Sequence, residues 1–199
     1  LDSNINQIER KSHALFLEDE WWLLDNFAIT GGLRYDYDEN YGSHYSPRIY
    51  AVWNINDAFT LKGGVSTGYK TPGIRQAVAD WGAQTGGGRS NGLILGNPNL
   101  KPEKSTNYEI GLNYTHSDDF NFDITGFYTK FKDKLQNIEL CRSTGTTDDC
   151  VASNGNKFFF IQTNENIDTA DLKGIELATS WKPIDVVTVT TELGEKIND

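Results

Sequence analysis

The chain contains no methionine, two cysteines and five prolines, and basic residues are in the minority. Its 18 Lys+Arg stand against 28 Asp+Glu, a formal net charge of -10 over 199 residues. A nucleic-acid partner wants a basic face, so this balance argues against one. No run of about 18 apolar residues occurs, so there is no transmembrane helix. The opening LDSNINQIER lacks the basic-then-apolar order of a signal peptide. With no initiator Met either, a mature or truncated chain is expected. The length is that of one domain, with no low-complexity tract and no sign of a second. The negative mean hydropathy looks soluble, but barrel strands hide a lipid face in alternation and average out as polar.

What is abundant is aromatic residues and glycine: 9 Tyr, 10 Phe, 5 Trp and 19 Gly. This composition favours strands joined by turns. The dominant period is two. Over 27–38 one face reads Phe27, Ile29, Gly31, Leu33, Tyr35, Tyr37, and the other Ala28, Thr30, Gly32, Arg34, Asp36, Asp38. Over 106–114, Tyr108, Ile110, Leu112 and Tyr114 alternate with Asn107, Glu109, Gly111 and Asn113. The stretch from Phe120 repeats the pattern. Each such segment is a strand with one apolar and one wet face. We place about eight strands, at roughly 12–23, 27–38, 47–55, 58–69, 105–116, 119–133, 158–182 and 185–193. Each is at least near the ~9–11 residues that cross a bilayer. Aromatics such as Trp21, Trp22, Tyr35, Trp53, Tyr69 and Trp181 recur near strand ends, where interfacial girdles sit.

Connections alternate in length. Short turns fall at Asp25-Asn26, Asn56-Asp57, Ser117–Asp119 and Pro183–Asp185, and longer ones at about 39–46, 70–104 and 134–157. Short turns on one rim and long loops on the other is the layout of an outer-membrane β-barrel. A soluble sandwich has no reason to sort its loops so.

Several segments resemble the TonB-dependent outer-membrane receptors, especially the catecholate-siderophore and colicin-receptor branch. They are ALFLEDEWWLLDNFAITGGLRYDYD (14–38), SPRIYAVWNINDAFTLKGGVSTGYKTP (46–72), GNPNLKPEKSTNYEIGLNY (96–114) and ADLKGIELATSW (170–181), in family order. The resemblance implies an all-β, antiparallel transmembrane barrel of about 22 strands around a plug. This chain would supply about eight of them; the plug, the TonB-contacting segment and the closing strand lie outside it. Short turns would face the periplasm and long loops the exterior. The implied function is binding of a ferric siderophore, a catecholate in this branch, and its import with TonB-supplied energy. The implied surroundings are outer-membrane lipid and lipopolysaccharide, with colicin or phage as further partners.

Iron would arrive already chelated, so neither a cofactor nor protein ligands to a metal are expected. Ferric catecholates are anionic and aromatic, which suits cationic and aromatic loop side chains. Lys70, Arg75, Gln76, Trp81 and Arg89 are the candidates; the bland reading is that Arg75 and Arg89 hold acidic neighbours or lipopolysaccharide phosphates. On wet strand faces, Glu18, Glu20, Arg34, Asp36, Lys62, Glu109 and Glu176 are candidate plug contacts. Cys141 and Cys150 share a polar segment and suggest a disulfide in an oxidising compartment, worth roughly 2–3 kcal/mol; two free thiols are the alternative. This loop would be extracellular.

Haem receptors of the wider family carry similar boxes to Tyr69-Lys70-Thr71-Pro72 and Asn97-Pro98-Asn99-Leu100, with a His between. Here the three His are His13, His44 and His116, which argues against haem. No enzyme is expected. Asp38, Ser43 and His44 invite a triad reading, but Gly-x-Ser-x-Gly is absent, and a triad is defined by geometry. The acid pairs Glu18/Glu20 and Asp36/Asp38 read as a wet lumen. Competing readings are cobalamin or haem as cargo, a soluble β-sandwich adhesin, or an outer-membrane hydrolase. Cut from its barrel, the piece would have two open edges, which hydrocarbon does not tolerate; it is expected to aggregate or need its partners.

Overall fold

The computed structural model describes residues 7–79, 81–87, 91–117, 119–145, 147–184 and 187–198. Eight long strands form one continuous antiparallel wall: β1 (Ser12–Leu24), β2 (Phe27–Asp38), β3 (Gly42–Asn54), β4 (Phe59–Lys70), β7 (Glu103–Ser117), β8 (Phe120–Arg142), β11 (Phe160–Ile184) and β12 (Val187–Asn198). Four short strands, β5 (Gly82–Thr85), β6 (Gly92–Leu95), β9 (Cys150–Val151) and β10 (Lys157–Phe158), lie in the long connections.

The period-two pattern becomes two faces. Cross-strand register puts Leu17, Leu33, Ile49, Val65, Tyr108 and Ile110 on one face, and Glu18, Arg48, Tyr50, Lys62 and Glu109 on the other. The apolar face stays open: Leu17 is 75% exposed and Ile110 62%. In water so much bare apolar surface is costly. Facing acyl chains it is the expected solution.

Two connections differ from expectation. The loop expected over 39–46 shrinks to residues 39–41, because β3 begins at Gly42. Its polar start resembles a loop, yet Tyr45 pairs across the strands with Tyr35, ring centroids 5.1 Å apart. In the connection expected over 134–157, β8 continues to Arg142. Asp133 takes a left-handed φ of 56°, an uncommon geometry for a non-glycine residue, yet the pairing with β11 keeps its register across it, Lys132 opposite Thr169 and Lys134 opposite Ile167. The eighth strand runs to Asn198 rather than 193.

Residues 71–102 do not hang free. β6 pairs parallel to the upper end of β11, so this connection crosses beyond β7 and β8 before docking. The only cluster of buried apolar side chains among the described residues lies here: Leu93, Cys150, Ala152, Phe158 and Ile161.

Candidate ligand-binding loops and the polar face

The connection after β4 opens with a 3-10 turn, Ile74–Gln76, carrying two of the loop candidates. Arg75 is exposed, and its guanidinium stands 5.8 Å from the centroid of the half-buried Trp81 ring. Gln76 faces inward: its Oε1 accepts from Gly73 N at 2.7 Å, and its Nε2 donates to Asn164 Oδ1 at 3.4 Å. Lys70 ends β4 and pairs with Glu103 at 3.4 Å, its side chain largely exposed. Arg89 lies outside the described residues. Arg75, Gln76 and Trp81 therefore gather around one turn, with Lys70 just below.

Several backbone contacts hold that turn. Asn97 N donates to Gln76 O at 2.7 Å, and Gly96 N to Trp81 O at 2.9 Å. A Cβ on Gly96 would come within 2.1 Å of Val78 O, so only glycine allows this approach. The amide of Asn97 donates to Asn164 O, while Asn166 Nδ2 donates to Lys101 O and Asp133 O. These asparagines were not singled out from the sequence, although Asn97 lay in the quoted Gly-Asn-Pro-Asn-Leu turn. Arg10 was also missed. It pairs with Asp38 at 3.2 Å and donates to Pro72 O at 2.8 Å, tying the segment before β1 to the root of the long loop. Its guanidinium lies over the Tyr41 ring at 5.9 Å. Burial pushes the Tyr41 phenol above its ordinary value, with Arg10 opposing and Asp38 adding.

Cys141 and Cys150 form a disulfide, Cα atoms 5.8 Å apart, at the edge of the buried cluster. Arg142 pairs with Glu139 beside it.

The seven polar-face candidates all share one side of the wall. Many already have partners on the wall itself. Arg48 pairs with Glu18 at 3.0 Å, Arg34 with Asp36 at 2.9 Å, and Lys62 with Asp123 at 4.0 Å. Tyr50 lies over Gly64 and donates its hydroxyl to Glu109 at 3.1 Å. Lys62, Glu109 and Glu176 line one polar recess with Asn107 and Thr125. Glu20 stands on this side of β1 across from Thr30.

The three residues that invited a triad have separate occupations. Asp38 takes Arg10, Ser43 shares a 2.9 Å hydrogen bond with the Tyr35 hydroxyl, and His44 stacks on Tyr69 with centroids 4.2 Å apart.

The family profile described as "TonB dependent receptor-like, beta-barrel" matches residues 2–195. The chain is 45% identical over 143 residues to the iron-regulated outer membrane virulence protein of Vibrio cholerae, covering 69% of this chain and 21% of that protein. Among solved structures it is similar to the siderophore receptor PirA from Acinetobacter baumannii, at TM-score 0.72, 28% identity, and coverage of 96% of this chain and 28% of that one. It is also similar to a ferric enterobactin receptor variant from Pseudomonas aeruginosa, solved in complex with enterobactin, at TM-score 0.71, 26% identity, and coverage of 94% and 27%. The chain thus spans about a fifth of the length of the curated relatives it matches. That family is one of transport receptors of the bacterial outer membrane, and this wall, apolar outside and charged within, belongs to it as part of a TonB-dependent receptor β-barrel.

Proposed function

We propose that the receptor containing this chain binds a ferric siderophore of the catecholate type on its outward loops and imports it with TonB-supplied energy. The observation that carries this reading is the Arg75–Trp81 pair, an exposed cation above an aromatic ring on a loop fastened at several points. Such a pair offers an anionic, aromatic chelate both charge and a stacking surface. The relatives' names support it, since they include ferric enterobactin receptors. Lys70, paired with Glu103, stands at the root of this loop, and Arg89 belongs to the same loop. Iron is cargo in this scheme, enclosed by its chelator, and no resident cofactor or catalytic group is required. Polar-face charges, Arg34 and Glu176 among them, would hold a plug in the lumen.

The test is binding of a ferric catecholate, a ferric hydroxamate, haem and cobalamin to the full-length receptor in detergent, read by tryptophan quenching. Tight binding of the catecholate alone, weakened about tenfold by Arg75→Ala, is the expected result. Preference for another member of the panel would overturn the cargo while leaving the barrel intact.

A further inference from the structure

Arg10 sits just ahead of β1, at the rim that carries the long loops, and each of its three nitrogens has its own partner. Nε lies 3.2 Å from Asp38 Oδ2 at the end of β2. Nη1 donates to Pro72 O at 2.8 Å and Nη2 to Thr71 Oγ1 at 3.3 Å, just beyond the end of β4. The Arg10 side chain is 16% exposed and that of Asp38 4%. Exchanging a buried ion pair for apolar side chains is often neutral, so stability alone does not account for this one. What an apolar side chain could not do is hold a planar fork of donors on groups from two strand ends at once.

The Pro72 carbonyl is one end of a peptide group whose other end is the Gly73 N–H. That N–H donates to Gln76 Oε1 at 2.7 Å. One peptide plane is thus gripped from both sides, by a residue ahead of β1 and by the 3-10 turn that follows. Gln76 Nε2 carries the chain of contacts on to Asn164 Oδ1 of β11 at 3.4 Å. The grip falls at the loosest joint between wall and turn. Thr71, preceding a proline, is confined to extended backbone, and Pro72 has its φ fixed by its ring. Gly73 carries no such restraint. Arg75 follows it by two residues, and the Arg75 guanidinium is the one that stands 5.8 Å from the Trp81 ring.

We propose that Arg10 is a positioning residue for cargo: through the Pro72–Gly73 peptide it fixes where the Arg75–Trp81 pair stands. This role rests on the reading of that pair as the siderophore contact, and it places part of the control of affinity outside the loop itself, on the segment entering β1. Arg10 acts without touching the chelate, because its fork is already occupied by Asp38, Thr71 and Pro72. With the fork in place, Gly73 is held at φ -58° and ψ 145°, and the turn starts in one orientation. Without it, Pro72 and Gly73 swing, the pair samples several placements, and part of the binding energy goes to ordering the loop.

The experiment uses the full-length receptor in detergent, with a ferric tris-catecholate as the probe and hydrogen exchange as a second readout. Two variants avoid leaving Asp38 buried and unpaired. Arg10→Lys keeps a cation but not the fork, and Arg10→Leu with Asp38→Asn removes both charges. Heat-modifiable migration on gels reports an intact barrel. In both variants exchange should rise over 73–79 and stay at the parent level over β7 and β8, and affinity should fall about fivefold. In a receptor already carrying Arg75→Ala and Trp81→Ala, the same changes should shift affinity by less than about twofold, because the pair they position is gone. An equal loss in both backgrounds would overturn the role, since Arg10 would then act on cargo by another route. Variants that bind the probe like the parent would overturn it as well. A parent receptor that ignores the catecholate sinks the siderophore reading by itself, whereas exchange over 73–79 left at the parent level sinks the hold of Arg10 on the loop, whatever the parent binds.

Discussion

The wall and the cap above it solve the same problem in opposite ways. The wall has almost no interior: Leu15, Leu17, Ile49, Ile110 and Ile175 are all more than half exposed, and its order comes from ladder hydrogen bonds and from the lipid outside. The cap, made from residues 71–102 and 143–161, has its own small core. Leu93 is 1% exposed, Phe158 2% and Cys150 0%, with a disulfide at its edge. The wall obeys the rules of a membrane protein, and the cap those of a small secreted domain stapled by cystine. One chain thus carries two kinds of stability, and substitutions should separate them.

Phe158→Ala should have the largest effect, about 3–5 kcal/mol taken from the cap through lost contacts and a cavity. Hydrogen exchange should accelerate over β6 and the start of β11 while β2 and β3 stay protected. Exchange that rises equally in the wall would erase the distinction. Ile110→Arg is the converse, costing the wall about 2–4 kcal/mol if that row lies near the bilayer midplane. Denaturant unfolding in lipid should show the loss, with siderophore affinity retained. Cys150→Ser should cost the cap roughly 2–3 kcal/mol. Limited proteolysis is the readout, with new cuts expected between 143 and 157 and none in the eight long strands. Arg34→Glu should be smallest in stability, because its pairing with Asp36 is exposed. Its informative readout is single-channel conductance, which rises if lumen charge seats a plug; an unchanged trace would remove Arg34 from that role.

The wall was far more legible in the sequence than the cap, for a physical reason. A strand between lipid and lumen must alternate, so Phe27–Asp38 and Tyr108–Tyr114 announce both their structure and their faces. Nothing imposes such a period on Gly82–Thr85 or Gly92–Leu95, which form a hairpin only because β11 offers a parallel partner to β6. Past Phe131 the sequence of β8 turns largely polar, Lys132, Asp133, Lys134, Gln136 and Asn137, so its last residues read as loop. Among the loop candidates, composition found Arg75 and Trp81, whose chemistry is local. It did not find Asn97 and Asn166, whose side-chain amides donate to the carbonyls of Asn164 and Lys101, 67 and 65 residues away.

The docking of β6 on β11 also bears on the order of assembly. Thr163 Oγ1 donates to Leu95 O across 68 positions of chain, and Phe159 N reaches Asn91 O at 2.7 Å. Contacts so remote in sequence form late, after the intervening loops have closed. The outward loop following β4 therefore acquires its final shape only when β7, β8 and β11 have taken their places. A receptor halted partway through insertion would lack the settled form of this loop, and with it the final placing of the Arg75–Trp81 pair.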